Sequence, residues 1–168
     1  MRYFPNETGW IEVIVGSMFS GKTTELLRRL DRYRRAGRAV QVFSRDTRYA
    51  QNAIVSHDQR KLDATYAETS RAILAALDWH TAIVGIDEGQ FYDEGLVDLC
   101  RQLALDGKIV IVAGLDQDFL TEPFGVMTRL LAEAEFVEKL TAVCQRCGNP
   151  AIRNFRKDQS GGRIVVGA

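Results

Sequence analysis

Runs of apolar residues alternate with amphipathic stretches along the first two-thirds of the chain. The apolar runs have strand length and little polar alternation, and they lie at residues 10–15, 39–44, 82–86 and 109–114. Apolar residues at helical spacing predict helices around residues 26–33, 73–77, 96–103 and 127–134, two of them capped by Ser70 and Asp93. Residues 46–65 are polar and weakly periodic, which predicts a loop. Because strands buried on both faces belong to parallel sheets covered by helices, the pattern predicts an α/β fold.

The segment between the first predicted strand and helix has the pattern G-x-x-x-x-G-K-[ST], which is typical of a phosphate-binding loop (P-loop). Glycines let the backbone turn so that successive N–H groups point into one concavity, and the next helix adds its N-terminus to this anion site. Lys22 supplies a charge for the β- and γ-phosphates, and the Thr23 hydroxyl can ligate Mg²⁺. The candidate ATP-binding residues of this loop are Gly16, Ser17, Met18, Phe19, Ser20, Gly21, Lys22 and Thr23.

The predicted strand at residues 82–86 is followed by two acidic residues, Asp87 and Glu88. In P-loop proteins an aspartate at such a strand end holds Mg²⁺, directly or through water. Glu88 can orient a nucleophile or accept its proton. Two interpretations stay open from these residues alone. Activation of water indicates an ATPase motor or switch, and activation of a substrate hydroxyl indicates a kinase.

The composition narrows the functional class. The chain has 168 residues with 22 Lys or Arg and 22 Asp or Glu, so its net charge attracts neither nucleic acid nor a membrane surface. No apolar run has the length of a membrane span and no signal-peptide core is present, so we expect a cytoplasmic protein. A cluster of arginines after the P-loop leaves a nucleic-acid-dependent ATPase as the alternative function, although the balanced charge favours a solvated helix face. These are Arg28, Arg29, Arg32, Arg34, Arg35 and Arg38.

The residue pattern changes near Cys144, where helical periodicity stops and Cys, Gly, Asn and Pro appear. We therefore predict a P-loop nucleotide-binding domain over residues 1–143 and the start of a small module over residues 144–168. Cys144 and Cys147 have the spacing of half a zinc site, whereas structural zinc needs four ligands. The third cysteine, Cys100, lies at helical core spacing and is predicted to be buried.

Several blocks of the chain resemble the type II thymidine kinases, the family of the cytosolic animal and most bacterial enzymes. The blocks appear in the family's order and read GSMFSGKTTEL at 16–26, DTRY at 46–49, SHD at 56–58, IDEGQFY at 86–92, GLDQDF at 114–119, EPFG at 122–125 and KLTAVCQRC at 139–147. The resemblance covers nearly the whole chain. It implies a RecA-like P-loop sheet with a C-terminal zinc-ribbon-like or lasso module. The implied activity is transfer of the ATP γ-phosphate to the 5′-hydroxyl of thymidine or deoxyuridine.

The resemblance also implies roles for single residues around the phosphates. Lys22 and the loop amides would hold the ATP phosphates, and Thr23 and Asp87 would hold Mg²⁺. Glu88 would be the base that takes the proton from the 5′-hydroxyl. Gln90, which follows the base, would orient it or the nucleoside.

An acceptor site follows from the same resemblance. Arg48 would be a mobile cation that stabilises charge on the transferring group, and Asp46 would fix the loop that carries it. The thymine pocket would be lined by Met18, Phe91, Phe119 and Phe124. A late lasso loop at about residues 152–166 would grip the base through backbone groups, with contacts at Asn154, Val165 and Val166. Relatives usually carry threonine or serine near Asn154.

The implied cofactors are Mg²⁺ with ATP and a structural zinc ion bound by Cys144 and Cys147. In relatives a second ligand pair follows the lasso, so we expect this pair beyond Ala168. The implied ligands are ATP, thymidine and thymidine triphosphate as a feedback ligand, with no nucleic acid and no membrane. Analogy with the family also predicts a homo-oligomer, specifically a tetramer.

Overall fold

A six-stranded sheet forms the centre of the protein in the computed structural model, which describes residues 8–46, 53–55 and 61–156. Its strands are β1 (Trp10–Gly16), β2 (Val40–Ser44), β5 (Thr65–Tyr66), β6 (Ile83–Asp87), β7 (Ile109–Gly114) and β8 (Phe136–Leu140). They lie in the order β5-β2-β6-β7-β1-β8, and each neighbouring pair is parallel. The predicted α/β fold is confirmed.

Strand register brings the carboxyl ends of the central strands to one edge of the sheet. Val15 of β1 pairs with Gly114 of β7, and Ile86 of β6 pairs with Val112 of β7. The segments that follow β1, β6 and β7 therefore leave the sheet side by side, and ligands of open α/β sheets bind at this edge.

Helices cover both faces of the sheet. They are α1 (Lys22–Arg35), α2 (Ser70–Ala76), α3 (Gly95–Leu105) and α4 (Gly125–Glu133). Successive strand residues point to opposite faces, so Ile14 lies in a buried cluster with Leu30 of α1, whereas Val13 lies in a second cluster with Leu96 of α3 and Met127 of α4. Cys100 is buried in this second cluster, as predicted.

The segment predicted as a loop, residues 46–65, contains strands, so that prediction was partly wrong. β3 (Ala53–Val55) and β4 (Lys61–Asp63) form an antiparallel pair, and β5 adds to β2 through Phe43 and Ser44. Each strand has only two or three residues, which is too short for a period of two to stand out in the sequence.

The predicted helix caps also differ in detail from the structure. Thr69, and not Ser70, caps α2, because its Oγ1 accepts a hydrogen bond from the Ala72 N–H at 3.1 Å. The Asp93 carboxylate accepts a bond from the Gly95 N–H at the start of α3 and two more from the backbone and hydroxyl of Ser70. Asp93 therefore forms hydrogen bonds at the starts of both α2 and α3, and not of α3 alone.

The Cys144–Cys147 segment forms the turn of a short hairpin. β9 (Ala142–Val143) pairs with β10 (Pro150–Ala151), the Cys144 N–H donates to the Asn149 carbonyl at 2.8 Å, and the Gly148 N–H donates to the Cys144 carbonyl at 2.9 Å. In the described ranges, none of the helices has both the length and the apolar character of a membrane span.

Candidate active site

The phosphate loop connects β1 to α1 in a conformation that requires glycine. A Cβ atom on Gly16 would lie 2.4 Å from the Leu140 carbonyl oxygen, and Gly21 has a φ of 89° at the start of α1. No described side chain caps α1, so its first N–H groups remain available to an anion. The Lys22 ammonium folds back and donates to the Ser17 carbonyl at 2.8 Å.

The acidic pair lies directly beside this loop, as its sequence position predicts. Asp87 ends β6, is 3% exposed, and its Oδ2 and Oδ1 accept from the Thr23 hydroxyl at 3.1 and 3.3 Å. Glu88 follows with φ 55° and ψ 42°, a left-handed conformation that is uncommon outside glycine. Such strained residues concentrate at functional sites.

Burial sets the electrostatics of this edge. Burial and, second, the charge of Glu88 together raise the pKa of Asp87 to about 7, although hydrogen bonds from the Glu88 backbone and Thr23 oppose the shift. Burial also lowers the pKa of Lys22, against the charges of Glu88, Asp87 and Asp116. A carboxylate and a hydroxyl in contact are the oxygen ligands that Mg²⁺ accepts, so Thr23 and Asp87 fit that ion.

Gln90 holds Glu88 in place from the neighbouring turn, Gly89–Phe91. Its Nε2 donates to the Glu88 carboxylate, and its Oε1 accepts from the Leu115 N–H at 3.0 Å. Because Leu115 follows β7, this one side chain joins the ends of β6 and β7. Gln90 therefore contacts Glu88, and the orienting role that the family resemblance implies for it stays a prediction.

The four apolar residues predicted to line a pocket lie in the segments that follow β1, β6 and β7. Met18 is 40% exposed, and Phe91 and Phe119 are half-buried. Phe124 packs partly against the core cluster of α3 and α4. The Arg156 guanidinium lies 5.3 Å from the centre of the Phe119 ring, within cation–π distance.

Residues 151–154 lie against the phosphate loop, a position that the sequence did not predict. The Ser17 hydroxyl donates to the Ala151 carbonyl at 3.0 Å, and the Asn154 Oδ1 accepts from the Met18 N–H at 2.7 Å. The family resemblance places Asn154 in a lasso that contacts the base through backbone groups, and that contact stays a prediction; the Asn154 side chain itself contacts the phosphate loop.

Two polar residues that the sequence reasoning missed follow β7. The Asp116 carboxylate forms an ion pair with Lys139 at 2.7 Å, and Gln117 contacts residues 151–154. The signal that could have found them is their place after a buried strand, the same signal that identified Asp87.

A sequence-family model described as "Thymidine kinase" matches residues 9–168 of this chain. The chain belongs to the thymidine kinase family. A curated thymidine kinase from Rhodothermus sp. (strain ITI 518) is 51% identical over 162 residues, which cover 95% of this chain and 76% of the relative. Among solved structures, the flagellar accessory protein FlaH from Methanocaldococcus jannaschii matches with a TM-score of 0.58 over 90% of this chain and 84% of its own. At 11% identity that likeness supports the fold alone.

Part of the acceptor site expected from the thymidine kinase family lies outside the described residues, namely Arg48, Val165 and Val166. Asp46 is described and is buried, and its N–H donates to the Ser44 hydroxyl at 3.2 Å. The neighbouring Arg45 guanidinium donates to the Phe91 carbonyl, so this segment is held close to the turn after Glu88.

The two cysteines of the hairpin turn have the local chemistry of metal ligands. Backbone N–H groups of Arg146 and Cys147 lower the pKa of the Cys144 thiol, and thiolates are the form that binds zinc. In the part of the chain that the structure describes, no third His, Cys, Asp or Glu joins them to form a metal-binding group.

Proposed function

We propose that this chain transfers the γ-phosphoryl group of ATP to the 5′-hydroxyl of thymidine, with deoxyuridine as a second acceptor. The observation that carries the proposal is the contact of Thr23 with Asp87, which joins the phosphate loop to the acidic pair. Membership of the thymidine kinase family supplies the acceptor class.

The loop from Gly16 to Thr23 binds the donor. Its N–H groups, the start of α1 and the Lys22 ammonium face the β- and γ-phosphates, where Lys22 leaves the Ser17 carbonyl for a phosphate oxygen. Mg²⁺, when bound with ATP by Thr23 and Asp87, neutralises negative charge on the phosphates.

Glu88 serves the acceptor. Its carboxylate takes the 5′-hydroxyl proton while the nucleoside oxygen forms a bond to the γ-phosphorus and the bond to the ADP oxygen breaks. Gln90 keeps the carboxylate aimed, because it is itself fixed by the Leu115 N–H. In-line transfer depends on such positioning more than on covalent help.

The acceptor pocket is assigned on the family pattern. Met18, Phe91, Phe119 and Phe124 contact the thymine base, since all four lie in segments that follow β1, β6 and β7, the strands whose ends form the site edge. The same pattern assigns to Asp46 the fixing of the loop with Arg48, to Arg48 the stabilisation of charge on the transferring group, and to Asn154, Val165 and Val166 contacts with the base.

The alternative function, a nucleic-acid-dependent ATPase, loses its main support in the structure. The arginines that suggested it are largely engaged on the helix surface: Arg28 and Arg29 pair with Glu25, Arg29 also pairs with Glu12 and Glu138, and Arg34 and Arg35 pair with Asp31. A phosphate-binding helix face needs uncommitted cations. Four of the six arginines therefore pair with a carboxylate, while Arg32 and Arg38 take part in none of these ion pairs.

The family pattern further assigns a structural zinc ion to Cys144 and Cys147, with the remaining ligands outside the described residues. It also assigns feedback binding of thymidine triphosphate and a homotetramer. Metal analysis of intact protein, inhibition assays with the triphosphate and light scattering test these three assignments separately.

A phosphorylation assay tests the main proposal. Purified protein with Mg²⁺-ATP is incubated with thymidine, with single-stranded DNA, or alone, and ADP and thymidine monophosphate are quantified. We expect the monophosphate to appear with thymidine and DNA to have no effect. ATP hydrolysis stimulated by DNA without any thymidine monophosphate would contradict the proposal.

Two substitutions test the roles. Glu88→Gln keeps the size and the bond with Gln90 and removes the proton acceptor, so kcat should fall by about 10²–10⁴ with little change in KM. Lys22→Ala should damage both kcat and the KM for ATP, because Lys22 binds phosphate in ground and transition states. The matched control is Glu94→Gln, since that exposed carboxylate pairs with Arg129 and should leave kcat unchanged.

A further inference from the structure

The segment 151–154 is held between two loops that leave the sheet at the site edge. On one side it meets the phosphate loop, through the Ser17 hydroxyl on the Ala151 carbonyl and the Met18 N–H on the Asn154 Oδ1. On the other side it meets the loop after β7, where the Gln117 Nε2 donates to the Ile152 carbonyl at 2.9 Å. We call these hydrogen bonds, together with the bond from Asn154 to the Gln117 carbonyl, the clasp.

Asn154 is the one described side chain of the clasp that bonds to both loops. Its Oδ1 accepts from the Met18 N–H at 2.7 Å, and its Nδ2 donates to the Gln117 carbonyl at 3.1 Å. A backbone N–H can only donate and a carbonyl can only accept, so the orientation of the amide is determined by its partners. In a serine or threonine side chain a single oxygen atom both donates and accepts, so it cannot bond to both loops in the same geometry as the two separate amide atoms of Asn154.

The phosphate-loop end of the clasp lies in the nucleotide-binding machinery. Ser17 is 1% exposed and is also the residue whose carbonyl receives the Lys22 ammonium. When Lys22 turns to a nucleotide phosphate, the environment of Ser17 changes, and the Ser17 hydroxyl bonds directly to the segment that carries Asn154.

We propose that Asn154 is a positioning residue that couples nucleotide binding at the phosphate loop to nucleoside binding under residues 151–154. The proposal rests on the proposed function, because it takes this segment as part of the thymidine site. A nucleotide that orders the phosphate loop also orders the clasp. Thymidine then meets a segment that is already ordered and binds more tightly, which is positive cooperativity between the two sites.

Calorimetry with a non-hydrolysable ATP analogue tests the coupling. The dissociation constant of thymidine is measured with and without saturating analogue and Mg²⁺, and the ratio of the two values is the coupling factor. We expect the analogue to tighten thymidine binding by at least about fivefold in the unmodified chain, the lower end of the usual range for coupled sites. In Asn154→Ala the factor should fall below about twofold.

The matched control is Gln117→Ala, which removes one bond from the same segment without touching the phosphate loop. Thymidine should bind more weakly to this variant with and without the analogue, while the coupling factor is retained. Ser17→Ala provides a second variant across the clasp, in case Asn154→Ala fails to fold, and it should also lower the factor.

Three outcomes are decisive against the proposal. The first is an unmodified chain with a coupling factor of one, and the second is a coupling factor that is unchanged in Asn154→Ala. The third is a coupling factor that falls equally in Asn154→Ala and Gln117→Ala. In all three cases thymidine phosphorylation by the unmodified chain shows that the proposed function still holds. A chain that binds ATP but neither binds nor phosphorylates thymidine refutes the function itself, and the coupling proposal with it.

Discussion

Replacement of Gln90 by leucine separates the orienting role of this residue from its structural role. The side chain is 4% exposed and makes two hydrogen bonds, one to the Glu88 carboxylate and one from the Leu115 N–H at 3.0 Å. Leucine, like glutamine, is unbranched at Cβ and has a similar volume, but its side chain can neither donate nor accept a hydrogen bond. Both partners therefore lose their bond while the packing is largely kept.

The two losses have different consequences. A hydrogen bond to a charged group contributes about 1.5–3 kcal/mol, and a buried N–H left unpaired costs about 1–3 kcal/mol. Part of this is offset by the apolar surface of leucine, so the free energy of unfolding should fall by about 2–4 kcal/mol. If the bond to Glu88 is needed to aim the base, its loss from the transition state lowers kcat by about 10- to 100-fold, since about 1.4 kcal/mol equals a factor of ten.

The assay pairs urea unfolding with steady-state kinetics at a temperature where the variant is fully folded. Gln102→Leu is the control, because Gln102 also donates to a carboxylate, that of Asp106, but on the exposed face of α3. That variant should lose less than about 0.5 kcal/mol and no activity. A Gln90→Leu variant that is destabilised as expected but has a normal kcat would refute the orienting role and leave only a structural one.

Two further predictions concern the core. Gly85→Ala places a Cβ atom 2.5 Å from Leu30 Cδ1 of α1, so the free energy of unfolding should fall by about 1–3 kcal/mol, as measured by urea titration. A fall below about 0.5 kcal/mol would show that α1 adjusts freely. Burial raises the pKa of the Cys100 thiol to about 12, whereas Cys147 is exposed. At pH 8 with a chelator present, iodoacetamide should therefore modify Cys147, and it should modify Cys100 only after the protein is unfolded. Mass spectrometry that finds Cys100 modified in the folded protein would contradict this burial.

The sheet and its active edge were predictable because strong local patterns specify them. Val13, Ile14, Val110 and Ile111 belong to runs that are apolar on both faces, and such runs are stable only when helices cover both sides of a sheet. Two recognisable sequence patterns follow strands of this sheet: the glycines and Lys22 of the phosphate loop follow β1, and the acidic pair lies at the end of β6. Each of these features depends on neighbours in the sequence.

Features that depend on distant contacts were not predictable. β8 alternates between half-buried and exposed residues and lies at one end of the described sheet, so its residues Val137 and Lys139 do not show the apolar pattern of a central strand. Nothing in the sequence near Asn154 indicates Met18 as its partner, 136 positions away. The cap of α2 is Thr69 and not the predicted Ser70, because the Ser70 hydroxyl donates to Asp93, which lies just before α3.

The division between predictable and unpredictable residues follows the chemistry of the site. The residues proposed to act on phosphate or on the reacting proton lie where the backbone leaves the sheet: Asp87 ends β6, Glu88 follows it, and Thr23 lies in the first turn of α1 after the phosphate loop. Residues that hold these groups in place need only a polar atom at the right distance, and any segment that packs nearby can supply it. Gln90 does this from the next turn and Asn154 from the far end of the described chain. The proposed roles of Gln90 and Asn154 therefore depend on contacts that local sequence patterns do not encode, whereas such patterns do encode the phosphate loop and the acidic pair.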